Sequence, residues 1–340
     1  MTGVRLVVAD RSATVRTVLR RLLSAFEEIE VVGETDDGVK LVELVRGRRP
    51  EALVMDLDLA GLGGRELIEA VAEVERTPIF AMIPPLRTDT TRIAFAAHGL
   101  GVIAVHPKPD RPDGWADLGR ALGTAIVEVC RKTDIHDPGS AQPIEAPVIR
   151  RGLRFVAIGA STGGPGALCE LLRALAGGAG IGIAVVQHIA AGFETVLAEW
   201  LAAESGLDVA VARDGERLAP DSVRLAPAGG HMVLRRDGSL ALDRNGPPVN
   251  GHSPSVETLF RSLLDHPPGT AAAVQLSGMG SDGAVGLFDL RRANFLTIAQ
   301  DAASCVVFGM PRAAIEMGAA TFTLTPAQIG RLLTHASGAR

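Results

Sequence analysis

From Val4 onward the chain alternates short apolar runs with amphipathic stretches. Val4 to Ala9 is apolar apart from Arg5, and Ser12 to Phe26 follows it with the spacing of a helix. The same order returns with Glu30 to Gly33 and Val39 to Val45, then with Ala52 to Met55 and Gly64 to Val74, and the runs Ile79 to Met82 and Gly101 to Val105 follow. Strands alternating with helices in this way predict a doubly wound parallel sheet of five strands, whose ligand site lies at the strand carboxyl ends. Trp115 to Cys130 closes the set as a last helix, because Leu118, Leu122, Ile126 and Val129 recur at helical spacing.

After Cys130 the periodicity stops. Lys132 to Arg151 contains Asp137-Pro138-Gly139-Ser140, Pro143 and Pro147, the composition of an exposed and partly extended linker. The predicted organisation is therefore a first domain over residues 1–130, a linker over 131–152 and a second domain over 153–340. In that second domain Phe155 to Ile158 reads as a strand covered on both faces, and Gly163, Gly164 and Pro165 fit a sharp turn into a helix beginning at Ala167. Two further apolar runs, Ile181 to His188 and Thr270 to Ser277, end in polar residues, the second leading into Gly278-Met279-Gly280-Ser281-Asp282-Gly283. Between them Leu207 to Ala212, Ser222 to Pro227, His231 to Arg235 and Ser239 to Asp243 have the length of short strands, the last two joined through Arg236-Asp237-Gly238 as a hairpin. The expected fold is a larger, doubly wound α/β domain with a β-hairpin insertion.

Composition narrows the choice of function. A length of 340 residues suits two cores, while a net charge of -5 and scattered arginines argue against nucleic acid as a partner. With 4% aromatics and no tyrosine, little is left for base stacking. The three cysteines, Cys130, Cys169 and Cys305, are far apart and odd in number, which suggests neither a disulfide framework nor a zinc cluster and fits a reducing cytoplasm. No apolar run approaches the ~18 residues of a membrane span, so membrane insertion is not expected.

Three apolar strands of the second domain end in Ser161, His188 and, one glycine-rich turn further, Asp282. In an open parallel sheet such ends share one edge, so residues distant in sequence can meet. The chemistry explains the residue types. A serine hydroxyl is a poor nucleophile until an imidazole takes its proton, and a carboxylate fixes the imidazole's tautomer and stabilises the imidazolium. Glycines around Thr162 and Met279 leave backbone N–H groups free to face an oxyanion. Gly159-Ala160-Ser161-Thr162-Gly163 also matches the G-x-S-x-G elbow, although the order Ser161, His188, Asp282 differs from the Ser, acid, His order of α/β-hydrolases. Each residue has a plainer account: Ser161 or Asp282 as a helix N-cap, His188 as a histidine closing a strand; His231 and His252, in loops beside glycines, are candidates to line a pocket, although solvent-exposed loop histidines are the commoner case. A rival from another class is a non-enzymatic signalling scaffold in which the glycine turn binds a phosphate or nucleotide.

In the first domain, Asp10 follows the first strand, Asp56 the third and Lys108 the fifth. With Leu53-Val54-Met55-Asp56 and Lys108-Pro109, this half resembles a response-regulator receiver domain of flavodoxin-like fold. The resemblance implies Asp56 as the phosphoacceptor candidate, with Asp10 and Lys108 completing the pocket. Two departures bear on the cofactor: the second acidic position, which helps hold magnesium in that family, is Arg11, and Met82-Ile83-Pro84-Pro85 stands where the family has a serine or threonine. Loss of a carboxylate ligand and gain of a cation speak against Mg2+, so a constitutive or protein–protein role for this domain is expected over phospho-switching.

From about Phe155 onward the chain resembles the catalytic domain of the CheB family of chemotaxis protein-glutamate methylesterases. The matching segments include Ile158 to Pro165, Gln187-His188, Ala226 to His231, Val249-Asn250-Gly251-His252, Pro254-Ser255-Val256, Gly278 to Gly283 and Gly309-Met310-Pro311-Arg312. The resemblance implies a Ser161, His188, Asp282 triad with Thr162 and Met279 near the oxyanion, no cofactor for catalysis, and demethylation of glutamate methyl esters with deamidation of glutamines. It also implies methyl-accepting chemoreceptor helices in the cytoplasm as substrate and a histidine kinase as partner. Ser253 stands where the family often has arginine, and Ile189-Ala190-Ala191 where it usually has a proline after the histidine.

Overall fold

The computed structural model describes residues 3–84, 88–131, 152–175 and 178–338. The chain divides into two compact units, Met1–Asp134 and Ile135–Arg340. Residues 132–151, nearly all of the predicted linker, and Pro85 lie outside the described residues.

In the first unit β1 (Val4–Ala9), α1 (Ala13–Leu23), β2 (Ile29–Thr35), α2 (Gly38–Arg48), β3 (Ala52–Asp56) and α3 (Gly64–Val74) alternate as the pattern predicts. They are followed by β4 (Ile79–Ile83), α4 (Thr88–Ala96), β5 (Val102–Pro107) and α5 (Pro112–Cys130). The strands form one parallel sheet in the order β2-β1-β3-β4-β5. β3 and β4 are buried at every residue because helices cover both faces, which is why they read as unbroken apolar runs. The chain reverses its direction of winding between β1 and β3, so their carboxyl ends, with Asp10 and Asp56, flank a crevice. α5 starts earlier than its apolar spacing indicates, at Pro112, since a proline in the first turn lacks only an N–H that would be unpaired there anyway.

The second unit opens with β6 (Phe155–Ala160), α6 (Gly164–Ala174), β7 (Gly182–Gln187) and α7 (Glu194–Ser205). β8 (Asp208–Val211), β9 (Ser222–Leu225), the hairpin β10 (His231–Leu234) and β11 (Leu240–Asp243), and α8 (Val256–Ser262) come next. The chain ends with β12 (Ala271–Gln275), α9 (Ala284–Arg292), β13 (Leu296–Gln300), α10 (Met310–Glu316), β14 (Phe322–Leu324) and α11 (Pro326–Ser337). Seven strands make a parallel sheet ordered β14-β13-β12-β6-β7-β9-β8. The hairpin stands apart as an antiparallel pair whose Met232, Leu234 and Leu240 join Leu259 and Phe260 of α8 in the core.

Winding runs from β6 through β7 to β8 and β9 on one side, then returns to β12 and continues to β14 on the other. The reversal lies between β6 and β12, where a ligand crevice belongs in an open parallel sheet. β12 is Ala271-Ala272-Ala273-Val274-Gln275, fully buried despite the weak β propensity of alanine. Small side chains at the sheet centre let helices on both faces approach closely, and burial of the surrounding leucines and phenylalanines, worth about 1.5–3 kcal/mol each, outweighs that propensity. β14 has no counterpart among the predicted strands, because three residues are too few to show a period. No helix among the described residues is long and apolar enough to cross a membrane.

Candidate active site

Ser161 is the first residue past the central strand β6. Its N–H donates to the carbonyl of Ser277 at 2.9 Å, beyond β12, and its carbonyl accepts from Gln187 Nε2 at 2.7 Å, at the end of β7. The turn is thus stitched to both neighbours. Gly163, in the left-handed region at φ +77°, caps α6 without any side-chain hydrogen bond, so the Ser161 hydroxyl is not spent as an N-cap. The backbone of Gly278 passes close behind: a Cβ there would lie 2.8 Å from Ser161 Cβ and 2.2 Å from Met310 Sδ. Gly278→Ala is therefore expected to push Ser161 out of line and lower kcat/KM about 10- to 100-fold, and, because the added methyl also runs into buried Met310, to cost about 1–3 kcal/mol of stability. Ester hydrolysis and melting curves on the same preparations check this.

Asp282 is buried, 3% exposed, and both its oxygens are saturated with donors. Oδ1 accepts from Asn250 Nδ2 at 3.2 Å, Ser255 Oγ at 2.9 Å and the Glu257 N–H at 3.2 Å. Oδ2 accepts from the Val256 N–H at 2.7 Å and lies 3.0 Å from His188 Nε2. Burial pushes the carboxyl's pKa up, but the donors from His188, Val256, Asn250 and Ser255 outweigh it and hold the pKa at about 2. α9 is capped by Gly283 with no side-chain bond, so Asp282 is not its N-cap.

His188 follows β7, and its N–H donates to the carbonyl of Ala160 at 2.8 Å. Ala160 and Gln187 are register partners, which makes Ser161 and His188 the next residues along adjacent strands. β7 and β12 flank β6 on opposite sides, so the His188–Asp282 contact bridges the end of the strand that carries Ser161. With Nε2 facing the carboxylate, Nδ1 is the nitrogen left over; it is buried and has no hydrogen-bond partner among the described residues, the Ser161 hydroxyl included. Thr162 and Met279 sit on the turns after β6 and β12, and the N–H of neither is taken up by a carbonyl of the described residues. The arrangement offers a hydroxyl, an imidazole oriented by an ionised carboxylate, and two unspent backbone donors on one rim, which is the equipment of acyl transfer.

Four supporting residues escaped sequence reasoning in their roles. Asn250 and Ser255 hold the carboxylate, as given above. His231, 4% exposed, donates from Nε2 to the carbonyl of Pro247 at 2.9 Å and accepts at Nδ1 from the Ser255 N–H at 3.3 Å, so it is a buried brace and not an exposed loop residue. His252 lies with its ring stacked on that of His188, centroids 3.9 Å apart and planes 7° from parallel. The signal available in the sequence was the bunching of Asn250, His252 and Ser255 ahead of α8; nothing there says which strand end α8 faces.

The first unit presents a separate pocket. Lys108 Nζ lies 2.6 Å from Asp10 Oδ2 and 2.5 Å from Asp56 Oδ2, with both carboxylates buried. The remaining oxygens are also engaged: Asp10 Oδ1 accepts the Ser12 N–H at 2.8 Å and Asp56 Oδ1 the Asp58 N–H at 2.9 Å. Arg11 points outward to Asp58 at 3.4 Å, in solvent, where such a pair is worth at most about 1 kcal/mol. A magnesium ion needs several oxygen ligands in near-octahedral geometry; here Lys108 ties one oxygen of each carboxylate, and Arg11, at the second acidic position, supplies no oxygen.

Comparison with known proteins gives matches for both units. A family model described as CheB methylesterase matches residues 156–333, and one described as response regulator receiver domain matches residues 6–109. Protein-glutamate methylesterase/protein-glutamine glutaminase 3 of Anaeromyxobacter dehalogenans is 40% identical over 332 residues, 95% of this chain and 96% of that protein. Protein-glutamate methylesterase/protein-glutamine glutaminase 4 of Geobacter metallireducens is 37% identical over 341 residues, 97% and 98% of the two chains. Among solved structures, the CheB methylesterase catalytic domain of Thermotoga maritima is 35% identical with a TM-score of 0.52, covering 54% of this chain and 98% of that one.

Proposed function

The chain belongs to the CheB methylesterase family, with a response regulator receiver domain ahead of the catalytic one, and from that premise we propose that Ser161, His188 and Asp282 hydrolyse glutamate methyl esters on chemoreceptor helices. The observation that carries this reading is the His188–Asp282 contact at 3.0 Å across the end of the strand that bears Ser161. Ser161 Oγ attacks the side-chain ester carbonyl while His188 Nδ1 takes its proton. Asp282 holds the Nε2–H and balances the imidazolium. The tetrahedral oxyanion is met by the N–H groups of Thr162 and Met279. Collapse expels methanol, which leaves with the proton from His188. A water molecule, deprotonated in turn by His188, then releases the glutamate and restores the serine. A primary amide treated in the same way loses ammonia, which is the glutaminase reaction. The substrates in this reading are receptor helices in the cytoplasm. Methanol release from receptor helices labelled in the glutamate methyl ester tests the reading: wild-type enzyme releases it, and failure to do so overturns the assignment.

For the receiver, we propose control without a phosphoryl group. Because Lys108 already ties one oxygen of both Asp10 and Asp56, and backbone N–H groups hold the other two, acetyl phosphate with magnesium is expected to change methanol release by less than about twofold, a ligand that favours neither state shifting nothing. Asp56→Asn is expected to leave activity where it was. A strong activation that Asp56→Asn abolishes would refute this.

A further inference from the structure

The geometry points to His252 as a positioning residue for His188, acting through the flat face of its ring, and this rests on the triad proposed above. A histidine at a strand end is not held by rotamer preference, since rotation about the bond to the imidazole is broad and roughly two-fold. The single contact from Nε2 to Asp282 pins one end of the His188 ring and leaves it free to tilt. His252 supplies the missing restraint: its ring covers one face of His188 at 3.9 Å and 7°.

The stack is itself anchored. Val249 and His252 exchange both backbone hydrogen bonds, each 3.0 Å, around Asn250 and Gly251 at φ +54° and +81°. That is the positive-φ pair of a tight hairpin turn, for which Asn-Gly is the favoured sequence. The same turn sends Asn250 Nδ2 to Asp282 Oδ1 at 3.2 Å, so one four-residue clip touches both the carboxylate and the imidazole. The pKa of His252 is lowered by burial first and then by His188, with Asp282 opposing. A neutral ring beside His188 adds a surface without adding a second positive charge when His188 takes up a proton.

The test compares His252→Ala with His252→Phe in the full chain, by steady-state methanol release and thermal unfolding. His252→Ala, which removes the face, is expected to lower kcat about 10- to 100-fold with KM nearly unchanged, the cost of a loosened general base. His252→Phe keeps a flat ring that cannot titrate or hydrogen-bond, and is expected to restore kcat to within about threefold, because aromatic pairs retain their stacking. Should His252→Ala fail to fold, His252→Leu, which fills the space without a flat face, replaces it with the same expected loss. Wild-type kcat in His252→Ala or His252→Leu, or a His252→Phe enzyme as slow as His252→Ala, overturns the inference. Ser161→Ala separates the two levels: an inactive Ser161→Ala beside a normal His252→Ala sinks only the role of His252, whereas an active Ser161→Ala sinks the triad beneath it.

Discussion

Ser161→Ala is expected to reduce methanol release by at least about 10⁴-fold, with KM and thermal stability close to wild type, since loss of the nucleophile removes the covalent route and leaves only the oxyanion donors and binding. The side chain is half-buried, and its hydroxyl makes no hydrogen bond to the described residues, so nothing structural is lost with it. The backbone contacts of Ser161, to Ser277 and from Gln187, survive the change. Single-turnover assays with labelled ester provide the measurement. A signalling scaffold that needs no chemistry would keep its function in this variant, and an alanine enzyme that turned over normally would reject the serine-hydrolase reading altogether.

Asp282→Asn should cost about 10³- to 10⁴-fold in kcat, because an amide in place of the carboxylate selects the wrong imidazole tautomer and cannot balance the imidazolium. Here the penalty has a second source. Both oxygens of Asp282 accept from donors, so whichever way an asparagine amide turns, its NH₂ meets an N–H or O–H that was satisfied before. The stability of the protein carries the same signature. The folded carboxyl sits at about 2, below the unfolded value of about 3.9, so its stabilisation is complete above pH ~4 and is lost as pH falls toward 2. The wild-type advantage over Asp282→Asn should therefore shrink by something on the order of 2 kcal/mol between pH 5 and 2, roughly the linkage energy of that pKa difference. Urea titrations of both proteins across that range supply the numbers. An advantage that stays constant with pH would mean the hydrogen bonds do not hold the charge.

Much of this was legible from the residues. Phe155 to Ile158, Ile181 to Val186 and Ala271 to Val274 are apolar on both faces and stop at glycines or polar residues, so their strand character and their C-terminal ends could be read directly. Parallel strands put those ends on one edge, and Ser161, His188 and Asp282 followed as a group. The triplet Asp10, Asp56 and Lys108 was readable for the same reason. Less legible was the clip of Val249 to His252, whose contacts join a loop to strand ends more than 30 residues away in the chain. His231 shows the limit most clearly. By composition it belonged in an exposed loop beside glycines, yet the turn of hairpin into α8 buries it, and its ring nitrogens then have to find Pro247 and Ser255.

The division has a physical cause. Strands and helices are periodic, and period is a local property of side-chain order, so element type, strand ends and the residue types waiting there were settled by the order of amino acids. Which nitrogen of His188 meets Asp282, which donors hold that carboxylate near a pKa of about 2, and which ring lies against the imidazole depend on α8 and its preceding turn packing over the β6–β12 crevice. Those contacts cross long stretches of chain and have no period to betray them; they are set by how buried polar groups find partners once the core has closed.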